Sequence, residues 1–242
     1  MSDESVRLEQ IADASLYAAG FNSDSIQYSF RIFARYLCGS SILEMGAAEG
    51  VMTELLARTG KSLTIVEGSN KFCESLRRRF PAARVEHCLF EDFEPSAVFD
   101  NIVLGHVLEH VDEPAAITAR AAKWLTSGGR MLAAVPNSRS LHRQVGVLMG
   151  LLPFEEALSE ADVHNGHRRV FNPETFRRCF LDAGLRIEVF GGYWLKSLSN
   201  VQLEASLTPQ MLDAFMQLGE RYPDIAGEIY VIARRPDLPK ST

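Results

Sequence analysis

The sequence predicts an α/β fold built on a mainly parallel sheet, and three observations carry that prediction. Strand-like apolar runs alternate with helix-length segments between residues 41 and 135. A glycine- and alanine-rich loop follows the first of those runs. Two further strand-like runs lie near the C-terminal end. Strands separated by helices of about ten residues are the mark of βαβ units and parallel pairing. With 242 residues, 46% of them hydrophobic and 23% charged, one soluble domain over 1–242 can bury a core without a metal or disulfide staple.

Residues 1–38 read as a helical lead-in, a cap on the domain. Ile26, Phe30, Phe33, Ala34 and Leu37 recur at helical spacing after a turn-like Gly20-Phe21-Asn22-Ser23-Asp24. Ser41–Met45 (SILEM) is the first buried strand, with a helix over 51–58 behind it. A second strand over 63–66 leads to a helix over 71–80 that Pro81 closes. Short strands follow at 84–87 and 99–104, then a helix over 114–125. Ser127-Gly128-Gly129 turns the chain into a fifth strand at 130–135. Beyond Pro136 the regular alternation stops. Residues 138–170 combine a helix over 141–151 with a polar, histidine-rich stretch, too long for a plain connector, and read as a substrate lid. A helix over 173–183 stops at Gly184. The late strands are 185–190 and 228–233, with a helix over 209–221 between them.

Composition removes several function classes. A net charge of −6 makes the chain a poor candidate for a nucleic-acid backbone, and Arg77-Arg78-Arg79 reads as a solvated helix face. Cys38, Cys73, Cys88 and Cys179 form no CxxC pair, which argues against zinc and against a disulfide framework. The N-terminus has no signal-peptide pattern, and no apolar run reaches the roughly 18 residues of a membrane span. The expectation is a cytoplasmic protein with no membrane or nucleic-acid partner.

The chemistry concentrates in the first βα loop, residues 44–50. Gly46 permits a tight turn, Ala47 and Ala48 let a ligand approach the backbone, and Gly50 eases entry to the helix. Glu44, at the strand end, can attract a ligand's ammonium group. The third glycine of a dinucleotide fingerprint falls at Val51, so that pattern is broken. Glu67 ends the second strand, where a carboxylate can accept hydrogen bonds from ribose hydroxyls. Phe90, Glu91 and Asp92 follow the third strand, suited to an adenine, with the Glu91-or-Asp92 choice open.

The ordered segments ILEMGAAEG, LTIVEGS, FEDF, FDNIVLGHVLEHVDEP, LTSGGRMLAAVPN and HNGHRRVFNPETFRRCFLDAGL resemble the class I S-adenosylmethionine (SAM)-dependent methyltransferases. The resemblance covers about residues 40–190. It is nearest to the small-molecule branch related to the ubiquinone-biosynthesis O-methyltransferases. It implies a Rossmann-like seven-stranded sheet with helices on both faces and an antiparallel last strand. It also implies SAM as cofactor and S-adenosylhomocysteine (SAH) as product. By that resemblance Glu44, Gly46, Ala48 and Gly50 belong to the methionine-binding loop, Glu67 is the ribose acid, and Glu91 lies near adenine. The sequence departs from the family at Ala48, usually glycine, and at Leu89, often aspartate.

Methyl transfer from a sulfonium needs alignment above all, plus a base where the acceptor is a hydroxyl. His106 and His110 follow the fourth strand. His106 borders the methionine portion and the acceptor, and His110 either touches substrate or holds loop backbone. Metal ligation by this pair is not expected, because Glu109 precedes the second histidine instead of following the first. His164 and His167 sit in the lid, where either can serve as base. Arg168 or Arg169 can bind an acidic substituent. Tyr193 and Trp194 are candidate pocket walls, and Tyr28 a lid over SAM. The function expected is methylation of an oxygen or nitrogen on a small metabolite such as a sugar, an amino sugar, or a quinone or natural-product intermediate, with a homodimer possible. The rival reading is a non-catalytic SAM-binding regulatory or dimer partner.

Overall fold

A computed structural model describes residues 3–14, 18–204 and 207–237. Within them, seven strands form one sheet: β1 (Ser41–Met45), β2 (Ser62–Glu67), β3 (Arg84–His87), β4 (Phe99–Gly105), β5 (Leu125–Pro136), β6 (Arg186–Tyr193) and β7 (Glu228–Arg234). Their order is β3-β2-β1-β4-β5-β7-β6. All pairs are parallel except those of β7, which is inserted antiparallel between β5 and β6. The order reverses between β1 and β4, so both strands open their carboxyl ends onto a crevice where ligands of such sheets bind.

Side chains alternate across the sheet and feed two cores. On one face Leu43, Ile102, Leu104, Met131 and Ala133 meet α5 (Pro114–Lys123) and α8 (Pro173–Asp182) through Ile117, Ala121, Phe176 and Phe180. On the other, Ile42, Ile65, Val103 and Leu132 meet α2 (Gly20–Phe33), α3 (Val51–Ala57), α4 (Asn70–Arg79) and α9 (Pro209–Arg221) through Phe33, Leu56, Leu76 and Met216. Fully buried Asn101 ties this layer together, accepting from the Cys38 N–H at 2.9 Å and donating to the Cys38 and Ser41 carbonyls at 2.7 and 2.9 Å.

Two local expectations change. The lead-in holds two described helices, α1 (Asp3–Ala14) and α2, and the stretch 20–24, expected as a turn, is the first turn of α2. Ser127–Gly129, expected to precede the fifth strand, is an irregularity within β5. Leu125 already pairs with Phe99, and the register then jumps so that Arg130 faces Asn101.

Residues 138–170 form α6 (Leu141–Leu148), α7 (Glu160–His164) and connecting turns. They are organised around a buried ion pair, Arg143 Nη1 to Asp162 Oδ2 at 2.9 Å. Asp162 also closes a capping box with Ser159, and Arg143 Nε donates to the Glu155 carbonyl at 2.8 Å. No helix of the described residues is long and apolar enough to cross a membrane.

Candidate functional site

A cavity of about 350 Å³ opens at the carboxyl ends of β1, β2 and β4. Its floor is the loop after β1. Gly46 has φ +74°, and a Cβ there would come within 2.9 Å of Val107 Cγ2, so both the backbone angle and the close approach of Val107 call for glycine at this turn. Ala48 has φ +45°, a left-handed backbone that is strained for alanine. Its N–H is held by the Glu67 carboxylate at 3.0 Å, while the other Glu67 oxygen accepts from Ser69 N–H at 2.9 Å. The cost of replacing the family's glycine is therefore in backbone angle more than in side-chain size. Ala48→Gly is expected to stabilise the fold by about 0.5–1 kcal/mol in urea unfolding, less than the strain itself because glycine also loosens the unfolded chain.

Glu67 lines the cavity and is 6% exposed. Burial pushes its pKa up, against the pull of the Ser69 and Ala48 amides. Glu44 lies behind the floor and is not part of the lining. It is 2% exposed, accepts from Thr53 Oγ1 at 2.8 Å, and has an Oε1 with no hydrogen-bond partner. Burial raises its pKa from 4.5 to about 8. Between those values the folded protein holds a proton that the unfolded chain has lost, so Glu44 makes stability fall as pH rises. Its share of that slope is on the order of 1.4 kcal/mol per pH unit. Glu44→Gln is expected to flatten the difference between denaturation curves at pH 5.5 and pH 7.5.

Phe90, Glu91 and Asp92 line the cavity with Phe72, Cys88 and Leu89, an apolar slot edged by carboxylates. Gly50 does not line it. With φ +80° it starts α3, and a Cβ there would meet Leu76 at 2.9 Å. The roof is α1, part of the 1–38 segment read as a cap, through Glu4, Arg7, Leu8 and Ile11, none of them among the expected site residues. Arg7 donates to the Gly166 carbonyl at 2.6 Å, and Arg168 pairs with Glu4 at 2.6 Å. At the other end Glu9 accepts from Ser69 Oγ at 3.1 Å and from Asn70 N–H at 2.5 Å.

The far wall is the turn after β4. The segment 106–110 is not helical, and His106 has φ +58°. His106 lines the cavity, and its Nε2 is 3.0 Å from the Tyr193 hydroxyl, which is 3.1 Å from Ser25 Oγ. Its Nδ1 faces Glu109 at 3.6 Å and Glu228 at 3.8 Å. Burial disfavours the charged ring, but the two carboxylates prevail and its pKa moves up. His110 also lines the cavity, with Nδ1 3.2 Å from the Gly166 carbonyl. Burial lowers its pKa to about 4, so it is neutral at physiological pH. His167 stands behind it, the two rings 4.8 Å apart and edge to face, with Nδ1 3.1 Å from Asp162.

Four expected contacts are redirected. Tyr28 stays out of the cavity because α2 turns it against the sheet. There it stacks on Tyr193 and donates to Glu220 at 2.6 Å. Tyr193 is fully buried and supports His106 without lining the cavity. His164, at the end of α7, is exposed and lies outside the lining. Arg168 is committed to Glu4, Asp112 and the His110 carbonyl, so it fastens α1 and the wall together.

A floor of small residues, a buried strand-end carboxylate and an apolar slot together fit a nucleoside. A methyltransferase-domain family model matches residues 8–188. The chain belongs to that family, within the class I SAM-dependent methyltransferases. Among curated relatives of this methyltransferase, the ubiquinone biosynthesis O-methyltransferase of Xylella fastidiosa (strain 9a5c) is 32% identical over 107 residues. That match covers 42% of this chain and 44% of the relative. The mitochondrial ubiquinone biosynthesis O-methyltransferase of Homo sapiens is 25% identical over 177 residues, covering 65% and 47%. The methyltransferase thus matches less than half the length of either relative. In fold it resembles N-methyltransferase NodS from Bradyrhizobium japonicum WM9 in complex with SAH. The TM-score is 0.65 at 16% identity, over 98% of this chain and 100% of NodS.

Proposed function

We propose that this methyltransferase modifies an oxygen or nitrogen of a small molecule, delivered to the wall formed by His106 and His110. One observation carries the reading: His106 faces the cavity from a left-handed backbone position and is held by Tyr193. Strained, fully supported polar residues of this kind concentrate where chemistry is done. The roof made by α1, tied down through Gly166 and Arg168, narrows the approach to the cavity, which favours a metabolite over a polymer. The net charge of −6 points the same way.

In this reading Glu67 receives the ribose hydroxyls, and Phe90 with Leu89 and Phe72 flanks the adenine. Glu91 or Asp92 meets the adenine amino group, and the Gly46 turn receives the methionine portion. SAM supplies an electrophilic methyl group on a sulfonium. The chain's residues align the acceptor, exclude water, and take the acceptor's proton at His106. His167 supports the wall from behind His110, and the base role passes to His106.

Calorimetry with SAM, SAH and NAD, followed by an SAH-release screen over sugars, amino sugars, phenols and amines, tests the reading. The expected result is binding of SAM and SAH but not NAD, with SAH released for at least one acceptor class. SAM binding with methyl transfer confined to RNA or protein substrates would overturn it.

A further inference from the structure

A second cavity, of about 460 Å³, lies across α2 from the first and shares no lining residue with it. The helix is the partition. Ile26 lines the first cavity, whereas Gly20, Asp24, Gln27 and Arg31, which recur at helical spacing on one face, line the second. The opposite wall is the start of α9, where Leu212 and Met216 stand one turn apart.

This lining is apolar, with one charge left over. Phe21, Leu207, Leu212 and Met216 supply the apolar surface, and Arg31 and Asp213 neutralise each other as an ion pair. Asp24 has no hydrogen-bond or ion-pair partner among the described residues, and burial alone pushes its pKa up. A carboxylate drawn partly out of water without a counter-charge costs free energy, which an ammonium group would recover. Small-molecule sites are built in this way: apolar walls supply most of the affinity, and a single polar group fixes orientation.

We infer that the second cavity binds a small organic cation, an amine whose ammonium group meets Asp24 and whose apolar body lies against Phe21, Leu212 and Met216. The site goes beyond the methyl-transfer reading and does not depend on it, yet a physical chain joins it to His106. Tyr28, which also lines this cavity, stacks on Tyr193 with ring centroids 5.4 Å apart. The Tyr193 hydroxyl is 3.0 Å from His106 Nε2 and 3.1 Å from the hydroxyl of Ser25, the residue after Asp24. A ligand seated on Asp24 and Tyr28 thus presses on both groups that hold Tyr193, and bears on His106 through it.

The test uses the full chain and titration calorimetry with three indoles of similar shape: the amine tryptamine, the alcohol tryptophol and the anion indole-3-propionate. Saturable binding of tryptamine is expected, tighter than that of tryptophol by about tenfold or more, with the anion weakest. Asp24→Asn should erase that preference, and Leu212→Trp, which fills the cavity, should weaken every probe. SAH affinity should stay within a few-fold in both variants. Asp24→Asn alters one partly exposed side chain, so it keeps the test decisive if the tryptophan variant does not fold. No saturable binding, equal affinity for amine and alcohol, a preference for the anion, or a preference that survives Asp24→Asn would overturn the site. Displacement of tryptamine by SAH would place the probe in the cofactor cavity and overturn it equally. The His106 ring resonances should shift as tryptamine saturates the unmodified chain. Resonances that stay still while it binds would overturn the link to His106.

Discussion

Replacing Glu67 with alanine is expected to raise the Kd for SAM by roughly 10- to 150-fold, a loss of about 1.5–3 kcal/mol for charge-assisted hydrogen bonds. Glu67 ends β2 at the cavity floor, and each of its oxygens already accepts one backbone amide, Ala48 on one side and Ser69 on the other. A carboxylate oxygen has a second lone pair, so each can also accept a ribose hydroxyl. The same side chain thus binds the nucleoside and holds together the loops that contact it. Without it the Ala48 amide, at φ +45°, loses its partner and the floor is free to relax.

Glu67→Gln separates the two roles. The amide keeps the volume and one acceptor oxygen but turns a donor toward either Ala48 or Ser69. An intermediate loss of affinity is expected, smaller than that of alanine. Calorimetry with SAH reads binding, and thermal unfolding of the ligand-free protein reads the loop. Affinity unchanged in both variants would remove the ribose assignment and, with it, the placement of the nucleoside.

The parallel core of the sheet was legible because its signal is local. Ser41–Met45 matches the structure residue for residue, since a short apolar run between helix-length segments leaves few alternatives, and the polar strand at 84–87 matches as well, bounded by the helix that Pro81 closes. The floor of the site was legible for the same reason: Gly46, Ala48 and Glu67 sit at strand ends whose positions the pattern fixes. The roof was not. The contacts of α1 are charged and distant in sequence, such as Arg7 with Gly166 and Glu4 with Arg168, and no periodicity encodes them. Tyr28 was misplaced because an aromatic on an amphipathic helix does not reveal which neighbour it meets, here Tyr193 and Glu220. Glu228 went unnoticed because it looks like an ordinary strand start. Only the antiparallel insertion of β7 brings it within 3.8 Å of His106. His167 meets His110 and Glu109 through the fold of the insertion around Arg143 and Asp162, so the spacing of histidines in the sequence could not show that grouping.

Replacing His106 with asparagine is expected to slow methyl transfer by roughly 10²–10⁴-fold, the range for loss of a positioned acid–base group. Asparagine is chosen because it tolerates the left-handed backbone at φ +58° better than alanine, so the turn after β4 keeps its path. What disappears is the imidazole between the Tyr193 hydroxyl and the Glu109–Glu228 pair. Tyr193→Phe makes the complementary change, leaving the ring in place but freeing its Nε2, and should cause a smaller loss. SAH affinity is expected to stay within a few-fold of the unmodified protein in both variants, since Glu67 and the Gly46 floor are untouched. An acceptor from the SAH-release screen supplies the rate measurement. A His106→Asn protein that turns over at the original rate would return His106 to a purely structural role. It would also place the proton acceptor elsewhere on the cavity wall, among residues that the roof of α1 brings to the same space.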